Sequence, residues 1–368
     1  MRRRLFLQSP LTFSGLLTGL PAVLVGARPA SAAPTTSFAA ARRDTRLTFP
    51  RDHGGHPAFR TEWWYVTGIV RTSAGETGFQ LTFFRTRTGF AESLASPIAA
   101  TQILFAHAAI SPPGQALRHA ERAGRPGLGA GFSITDCDVY LGAWALQRFG
   151  QTGNEHFQLR VHDVSIGLDL RLTPTQPPLL QGEHGWSQKG LRPELASHYV
   201  SWPQLHVDGA LSLDGKLLPA EGRAWFDHEW SSEVLDAGSV GWDWLGINLD
   251  DGGALMAFRI RDAGGNTVYA HASLRDTNGR RQVFGNGEIT FEALRHWGSP
   301  RNGARYPVQL AIQFGAHRIE TLPLHDEQEV ATHRPLPVSY WEGPVALRGT
   351  LQGRGYLELT GYAGALAL

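Results

Sequence analysis

The chain has 368 residues, 42% of them hydrophobic, a formal net charge of +1 and a single cysteine. One cysteine excludes an internal disulfide, so stability has to come from buried apolar surface. Lysine occurs only twice and the arginines are scattered singly, which argues against a nucleic-acid-binding surface. The length is sufficient for two ordinary β domains, each with its own core.

The first 32 residues have the three parts of an export signal. Arginines precede an apolar stretch, and Ala30-Ser31-Ala32 has the form of a cleavage site. The apolar stretch is too short to span a membrane, and Arg3-Arg4-Leu5-Phe6-Leu7 resembles a twin-arginine signal. We therefore predict an exported protein, periplasmic or secreted, that begins near Ala33 and has no transmembrane segment. An uncleaved anchor is the alternative. Cleavage would lower the net charge to about −3, because the segment holds four arginines and no acid.

The chain after the signal begins with a segment that has no periodicity. Residues 33–46 are rich in Ala, Thr and Arg, and we predict a mobile leader there, with order starting near Leu47. A turn-rich loop at 49–57 precedes two β-rich segments, 62–71 and 78–85, which are separated by a short turn and predict a hairpin. Short alternating segments then continue to residue 230, and none of them carries a clear helical stripe.

A second run of strands follows a Gly/Ser-containing acidic link at residues 231–241. Residues 242–249 and 255–260 form another aromatic-led hairpin that, like the first, ends in Phe-Arg, which indicates a weak internal repeat. Many short strands with glycine turns are typical of a sandwich or barrel. The sequence predicts an all-β protein with two tandem units, residues 47–235 and 236–368.

The segment of residues 222–232 concentrates titratable and aromatic side chains. On an extended strand, successive side chains point to opposite faces. One face then carries an indole and two carboxyls, from Trp225, Asp227 and Glu229. The other face carries two aromatic rings and an imidazole, from Phe226, Trp230 and His228. Desolvation by the indole would raise a carboxyl pKa toward values useful in acid–base catalysis. The alternative is a strand end whose acids pair with arginines.

Several motifs in this order resemble one known family. They are Asp52-His-Gly-Gly-His-Pro57, Glu62-Trp-Trp-Tyr-Val-Thr-Gly68, Ser201-Trp-Pro203, Ala224-Trp-Phe-Asp-His-Glu-Trp-Ser-Ser232 and Arg354-Gly-Tyr-Leu-Glu-Leu-Thr-Gly-Tyr362. Together they are similar to the AttH/CrtC family of exported lipocalin-like proteins over nearly the whole mature chain. The resemblance implies two calycin-type (lipocalin-like) β-barrels in tandem, a CrtC-like one followed by a further lipocalin-like one.

The resemblance also implies a class of ligand. The named enzyme of the family is carotenoid 1,2-hydratase, which adds water across a terminal double bond of an acyclic carotenoid. Other members look like polyene cyclases, and still others are called secreted hydrolases and are encoded beside ABC-transporter permeases. The shared implication is a dry cavity for a long apolar ligand such as a polyene, carotenoid, terpenoid or lipid, without a cofactor. Two hypotheses stay open: a lyase or isomerase, and a non-catalytic carrier or accessory protein of an ABC transporter.

The hydratase resemblance assigns candidate catalytic residues. The family's proposed proton donor, in a Gly-Tyr-x-Asp stretch, falls on Asp227, with Trp225 where the family has tyrosine. A His-x-Trp pair falls near residues 200–202, where the tryptophan is present and the histidine is not, although His198 is close. His228 and Glu229 could hold a water for the second half of a hydration.

Aromatic side chains are the candidate ligand-binding residues. A cation formed by protonating an alkene is stabilised by electron-rich ring faces. The candidates are Trp202, Trp225, Trp230, Trp64 and Tyr65. Core packing is the alternative role for each tryptophan. Glu62, beside three aromatics, would be costly to bury alone, so we predict a structural ion pair with Arg85 on the neighbouring strand.

Two other chemistries have weaker support in the sequence. His53, His56 and the Asp-His-Glu block supply enough donors for zinc, but they match no known metal-binding spacing, and we predict no metal site. No Gly-x-Ser-x-Gly nucleophile elbow is present, which argues against a serine hydrolase.

Overall fold

The computed structural model describes residues 37–96, 99–333, 335 and 337–366. The export signal predicted for residues 1–32 and the first part of the predicted leader, residues 33–36, lie outside the described residues. Within those ranges the helical structure is one 3₁₀ turn, Arg51–His53, and no helix has the length and hydropathy to cross a membrane.

In the part of the chain that the structure describes, twenty-three strands form two sheets. The first sheet has thirteen strands: β1 Thr61–Thr72, β2 Gly75–Arg87, β3 Gln102–Ser111, β4 Arg118–Gly124, β5 Ala130–Phe132, β6 Asp138–Leu141, β7 Trp144–Gln151, β8 Asn154–His162, β9 Ile166–Thr173, β10 Leu179–Leu180, β11 Trp186–Gln188, β12 Ala196–Leu213 and β13 Lys216–Glu233. The second sheet has ten: β14 Ser239–Leu249, β15 Ala254–Asp262, β16 Thr267–Arg275, β17 Arg281–Phe284, β18 Ile289–Gly298, β19 Arg305–Phe314, β20 His317–Pro323, β21 Glu329–Thr332, β22 Val338–Gly349 and β23 Gly353–Leu359.

Both sheets are antiparallel and curl into nearly closed barrels. The strand order is β4-β3-β2-β1-β13-β12-β9-β8-β7-β6-β5 in the first sheet, where β10 and β11 pair with β12. It is β17-β16-β15-β14-β23-β22-β20-β19-β18 in the second sheet, where β21 pairs with β22. The edge strand β4 contacts β6 and β9, so the first sheet nearly closes on itself. The predicted all-β, tandem-barrel fold is confirmed.

Each barrel is filled by its own side chains. Period-2 alternation along the strands turns every second residue inward, and these residues form two separate apolar cores. A third cluster lies between the barrels and is mostly aromatic, with Tyr65, Tyr199 and Trp225 from the first sheet against Trp244 and Phe258 from the second. The barrels therefore pack through the outer faces of their central strands.

Buried hydrogen bonds also join the two barrels. Gln204 Nε2 donates to the carbonyls of Leu249 and Gly253, at 2.9 and 2.6 Å, and Ser273 Oγ donates to Gln181 Oε1 at 2.6 Å. The described residues pack as one compact unit. The first sheet ends at Glu233 and the second begins at Ser239, so the predicted boundary near residue 235 lies in the short link between them.

The structure differs from the prediction of a mobile leader over residues 37–46. The backbone N–H of Ala39 donates to Ala58, Trp186 Nε1 donates to the carbonyl of Ala41, and Arg43 pairs with Glu183. These contacts with residues distant in sequence bind the segment to the first barrel, and the local composition could not predict them.

The predicted internal repeat has a structural counterpart. The hairpins β1–β2 and β14–β15 occupy corresponding positions, because each first strand also pairs with the last strand of its sheet. In both hairpins a buried acid lies opposite an arginine: Arg85 Nε is 2.8 Å from Glu62 Oε2, and Arg259 Nε is 2.7 Å from Asp243 Oδ2. The Phe-Arg ends of the two hairpins thus mark equivalent ion pairs.

Candidate active site

A cavity of about 120 Å³ lies between the two barrels. Side chains from the outer faces of both sheets line it, and most of them are aromatic or acidic. The first sheet contributes Trp63, Tyr65, Phe84, Tyr199, Asp227 and Glu229, and the second contributes Trp242, Trp244, Phe258, Tyr340, Glu342 and Glu358. We call this space the interbarrel cavity.

Asp227 lies on the wall of this cavity and is 2% exposed. Its Oδ1 accepts hydrogen bonds from Ser201 Oγ and Trp225 Nε1, each at 2.6 Å, and its Oδ2 lies 2.6 Å from the Tyr199 hydroxyl. Burial raises the pKa of Asp227 to about 7, although these hydrogen bonds act in the opposite direction. A large fraction of the molecules therefore carries a neutral carboxylic acid here at neutral pH.

The hydrogen-bond pattern indicates which oxygen of Asp227 holds the proton. Oδ1 accepts two bonds and so has the character of a carbonyl oxygen, whereas Oδ2 meets only the Tyr199 hydroxyl. The Tyr199 oxygen also accepts Trp244 Nε1 at 3.0 Å, and Gln181 Nε2 donates to Ser201 Oγ at 2.8 Å. These second contacts orient both hydroxyls toward Asp227. Oδ2 accepts one hydrogen bond, from Tyr199, whereas Oδ1 accepts two, so Oδ2 is the oxygen with a lone pair left for the acidic proton.

A buried ion pair lies beside the neutral acid. Lys189, which directly follows β11, places its Nζ 2.8 Å from Glu229 Oε1, and both side chains are buried. The ammonium also lies 4.6 Å from the ring centre of Tyr199 and 4.3 Å from that of Phe258, within range of cation–π attraction. The cavity thus presents a carboxylic acid and a paired carboxylate two residues apart on β13.

His228, between these two acids in sequence, faces the interior of the first barrel. Its Nε2 lies 2.9 Å from Glu62 Oε1, His56 Nδ1 lies 2.7 Å from the same oxygen, and Arg85 Nε donates to Glu62 Oε2. His56 also contacts Asp52. We call these five residues the Glu62 cluster. The predicted alternation along residues 225–230 is confirmed, because Asp227 and Glu229 reach the cavity and His228 does not.

The charges of the Glu62 cluster compensate one another. Burial opposes ionisation of Glu62, but Arg85 and the two histidines outweigh it and hold the pKa of Glu62 well below its usual range. Burial likewise opposes the charged form of His56, while hydrogen bonds to Asp52 and Glu62 raise its pKa. For His228 burial prevails and lowers the pKa. This ionised network stabilises one end of the first barrel.

Among the described residues, three members of this cluster have the spacing that ligands of a metal ion would need. One ligand atom each from His56, Glu62 and His228 lies within 4.8 Å of the others. Both histidine nitrogens already hydrogen-bond to one Glu62 oxygen, and the Arg85 guanidinium supplies the positive charge beside the other. The donor set therefore fits a hydrogen-bonded ion pair better than a metal centre.

Three of the predicted ligand-binding tryptophans are covered by protein. Trp64 and Trp202 belong to the core of the first barrel, and Trp230 stacks on His56 with ring centres 3.7 Å apart. Trp225 is buried and donates a hydrogen bond to Asp227, and Tyr65 lines the interbarrel cavity. Strand parity explains the difference, because even-numbered positions on β1 and β13 point into the barrel.

Several residues that line the cavity or hydrogen-bond to Asp227 were absent from the sequence-based candidates. Tyr199 and Ser201 lie opposite Glu229 and Asp227 on β12, and the Tyr-x-Ser alternation next to Trp202 is a signal that could have placed them there. Glu342 and Glu358 are acids between apolar residues in strands, a pattern that indicates a buried acid. Lys189 lies outside any strand, directly after β11, and carries no comparable signal.

The fold and the cavity define an all-β protein of two lipocalin-like barrels with an acid-bearing cavity between them. The family model described as AttH-like matches residues 40–362. The chain belongs to the AttH-like family. No match was found among curated proteins.

Three solved structures are similar to this chain. An AttH candidate from Nitrosomonas europaea has 40% sequence identity and a TM-score of 0.81, with 88% of this chain and 100% of that chain covered. Kievitone hydratase from Nectria haematococca has 14% identity and a TM-score of 0.67, covering 90% and 97%. CghA, solved with Sch210972, has 13% identity and a TM-score of 0.50, covering 83% and 89%. The last two similarities show the shared fold.

Proposed function

We propose that this protein protonates a carbon–carbon double bond of an apolar small molecule in the interbarrel cavity, and thus acts as a hydratase-type lyase or an isomerase. The Asp227 carboxyl carries the proposal: it is buried on the cavity wall and its pKa is raised to about 7. A neutral carboxylic acid with a pKa near the working pH is well suited to general acid catalysis.

The chemistry balances without a cofactor. The Asp227 O–H bond breaks and a C–H bond forms at one alkene carbon, while the π electrons of the double bond leave a cation at the other. In a hydration, a water oxygen bonds to the cation and a water proton returns to the Asp227 carboxylate. In an isomerisation, a neighbouring C–H bond loses its proton to that carboxylate instead.

The surroundings of Asp227 suit a cationic intermediate. Trp63, Tyr65 and Trp244 present aromatic rings to the same cavity, and each cation–π contact contributes about 0.5–2 kcal/mol. Glu229, predicted to hold a water, lines the cavity, and its pairing with Lys189 disfavours covalent capture of the cation. His228, the other residue predicted to hold a water, faces away from the cavity and belongs to the Glu62 cluster.

The size of the cavity constrains the ligand. A cavity of roughly 150 Å³ accommodates benzene. The interbarrel cavity, at about 120 Å³, is somewhat smaller, so it fits the end of an isoprenoid chain and takes a ring after a small outward shift of its side chains. An adjoining surface groove of about 350 Å³ shares Thr61, Val234 and Leu235 with the cavity. A longer polyene, terpenoid or lipid would insert its reacting end and leave the remainder along this groove.

The test begins with the natural ligand. The protein purified from its own host is examined by native mass spectrometry, and the extracted apolar compounds are incubated with fresh protein in ¹⁸O-labelled water. A hydratase adds one labelled water, an isomerase changes retention without a mass change, and Asp227→Asn abolishes either product. Asp208→Asn, an exposed position on β12, serves as the control. Bound ligand without any conversion would contradict catalysis and identify a carrier.

Two further expectations stay predictions. Export through the twin-arginine route depends on residues 1–32, and association with an ABC-transporter permease depends on the family resemblance alone. Cell fractionation tests the first, and co-purification with membrane proteins of the host tests the second.

A further inference from the structure

A second pair of acids lines the interbarrel cavity on the side of the second barrel. Glu342 on β22 and Glu358 on β23 lie directly opposite each other, which places their Cβ atoms about 5 Å apart. Trp242 Nε1 donates to Glu358 Oε2 at 2.9 Å. Burial raises the pKa of both carboxyls, and for Glu342 the charge of Glu358 raises it further. Adjacent buried carboxyls whose pKa values are raised in this way stay at least partly protonated at neutral pH.

Two buried polar atoms at this place have no hydrogen-bond partner. They are Glu342 Oε1, on a side chain 2% exposed, and the hydroxyl of Tyr65, on a side chain 6% exposed. Both residues line the cavity. The two groups are close enough for the Tyr65 hydroxyl to lower the pKa of the Glu342 carboxyl, but neither atom has a partner at full hydrogen-bond geometry. An unpaired buried polar atom costs about 1–3 kcal/mol, and a ligand group that pairs with both atoms recovers that cost.

The charges around the pair restrict what it can bind. Five carboxyl side chains line this cavity: Asp227, Glu229, Glu342, Glu358 and Glu62. Its two cationic side chains are already paired, Lys189 with Glu229 and Arg85 with Glu62. An anionic ligand would therefore enter without a free cation to compensate it. A cationic ligand would place a second positive charge near the Lys189 ammonium, which repels it. A hydroxyl group, in contrast, donates one hydrogen bond and accepts another, which matches a protonated carboxyl with its one donor and its acceptor oxygen.

We propose that Glu342, Glu358 and Tyr65 form a hydroxyl-binding subsite, which selects uncharged ligands bearing an alcohol or phenol and excludes carboxylates and phosphates. The subsite rests on the proposed function only in taking the interbarrel cavity as the place where the ligand binds. It names the substrate class: an unsaturated apolar molecule with at least one hydroxyl group, anchored on the second barrel while Asp227 acts from the first.

Four ring-sized probes test the subsite by ¹⁹F NMR titration of the full chain at pH 7.5: 4-fluorophenol, fluorobenzene, 4-fluorobenzoate and 4-fluorobenzylamine. We expect 4-fluorophenol to bind about tenfold more tightly than each of the others, the difference that one hydrogen bond to a carboxyl pair provides. Glu342→Leu should remove most of the preference for 4-fluorophenol over fluorobenzene. Glu342→Gln is the second variant, for the case that Glu342→Leu does not fold. It retains the size of the side chain and a hydrogen-bonding group, so it should still bind 4-fluorophenol, and it should weaken the exclusion of 4-fluorobenzoate. Glu292→Gln, at an exposed site on β18, is the matched control.

Equal affinity for 4-fluorophenol and fluorobenzene overturns the subsite, and so does tighter binding of 4-fluorobenzoate or of 4-fluorobenzylamine. Failure of all four probes to bind overturns it as well. Asp227→Asn separates the two proposals. If this variant keeps the preference for 4-fluorophenol and still converts the extracted ligand, the proposed reaction is wrong and the subsite stands. If it loses conversion while wild-type protein shows no preference among the probes, the reaction stands and the subsite is wrong.

Discussion

Lys189 Nζ lies 2.8 Å from Glu229 Oε1, and both side chains are more than nine-tenths buried at the wall of the interbarrel cavity. Removing one partner of a buried ion pair leaves an uncompensated charge and costs about 3–5 kcal/mol. Lys189→Met should therefore lower the free energy of unfolding by about this amount, measured by urea denaturation.

The double variant Lys189→Met/Glu229→Gln provides the control for that prediction. Removing both charges together leaves no unpaired carboxylate, so most of the lost stability should return. If the loss in unfolding free energy of the double variant equals the sum of the losses in Lys189→Met and Glu229→Gln, the ion pair does not couple the two residues.

The raised pKa of Asp227 predicts a pH dependence of stability. Its value is about 7 in the folded protein, against a usual 3.8, so between these limits the folded state holds a proton that the unfolded chain has released. The contribution to stability is complete below pH 3.8 and is lost as the pH rises toward 7. Relative to Asp227→Asn, the wild-type unfolding free energy should fall by about 1.4 kcal/mol per pH unit in this window.

Denaturant titrations at several pH values measure that difference. Asp208→Asn, at an exposed position, should follow the wild-type curve throughout. If Asp227→Asn runs parallel to the wild type between pH 5 and about pH 7, Asp227 is ionised in the folded protein and cannot be the proton donor. The infrared band of a protonated carboxyl, present in the wild type and missing in Asp227→Asn, gives an independent measurement.

The ion pair between Glu62 and Arg85 should dominate the stability of the first barrel. Both side chains are fully buried, and Arg85 also donates to the carbonyls of His56 and Phe59. Arg85→Met should lower the free energy of unfolding by about 3–5 kcal/mol, because Glu62 would remain charged and buried. Arg348→Met removes an exposed pair with Glu320 and should cost less than about 1 kcal/mol. Equal losses in thermal denaturation would contradict this difference.

Gly246 provides space for an indole that supports the site. A Cβ at this position would lie 2.5 Å from the ring of Trp244 and 3.1 Å from that of Trp225. Gly246→Ala should therefore displace Trp244, weaken its hydrogen bond to Tyr199, and lower the unfolding free energy by about 1–3 kcal/mol. The measurements are urea denaturation and tryptophan fluorescence. Gly364→Ala, where nothing outside the two neighbouring residues lies within 4 Å of the added Cβ, should leave the fluorescence unchanged.

Local sequence pattern determined much of this protein. The alternation at residues 225–230, the hairpin of β1 and β2 and the Phe-Arg repeat at Arg85 and Arg259 follow from the period of an extended strand, which a few neighbouring residues specify. The motifs around Asp227 also indicated the family. These features depend on residues that are close in sequence, so the sequence alone was sufficient.

The position of the cavity was decided by the tertiary structure. The sequence predicted a dry cavity for an apolar ligand without giving its place. Both barrel interiors are filled by side chains, and the acids face a space between the barrels. Asp227 and Glu342 are brought to one cavity by the packing of two curved sheets, and Lys189 reaches Glu229 from the loop after β11. Such contacts depend on sheet curvature and long-range packing, which strand periodicity does not encode. The pKa of Asp227 follows from that burial, and the candidate chemistry therefore exists only in the folded chain.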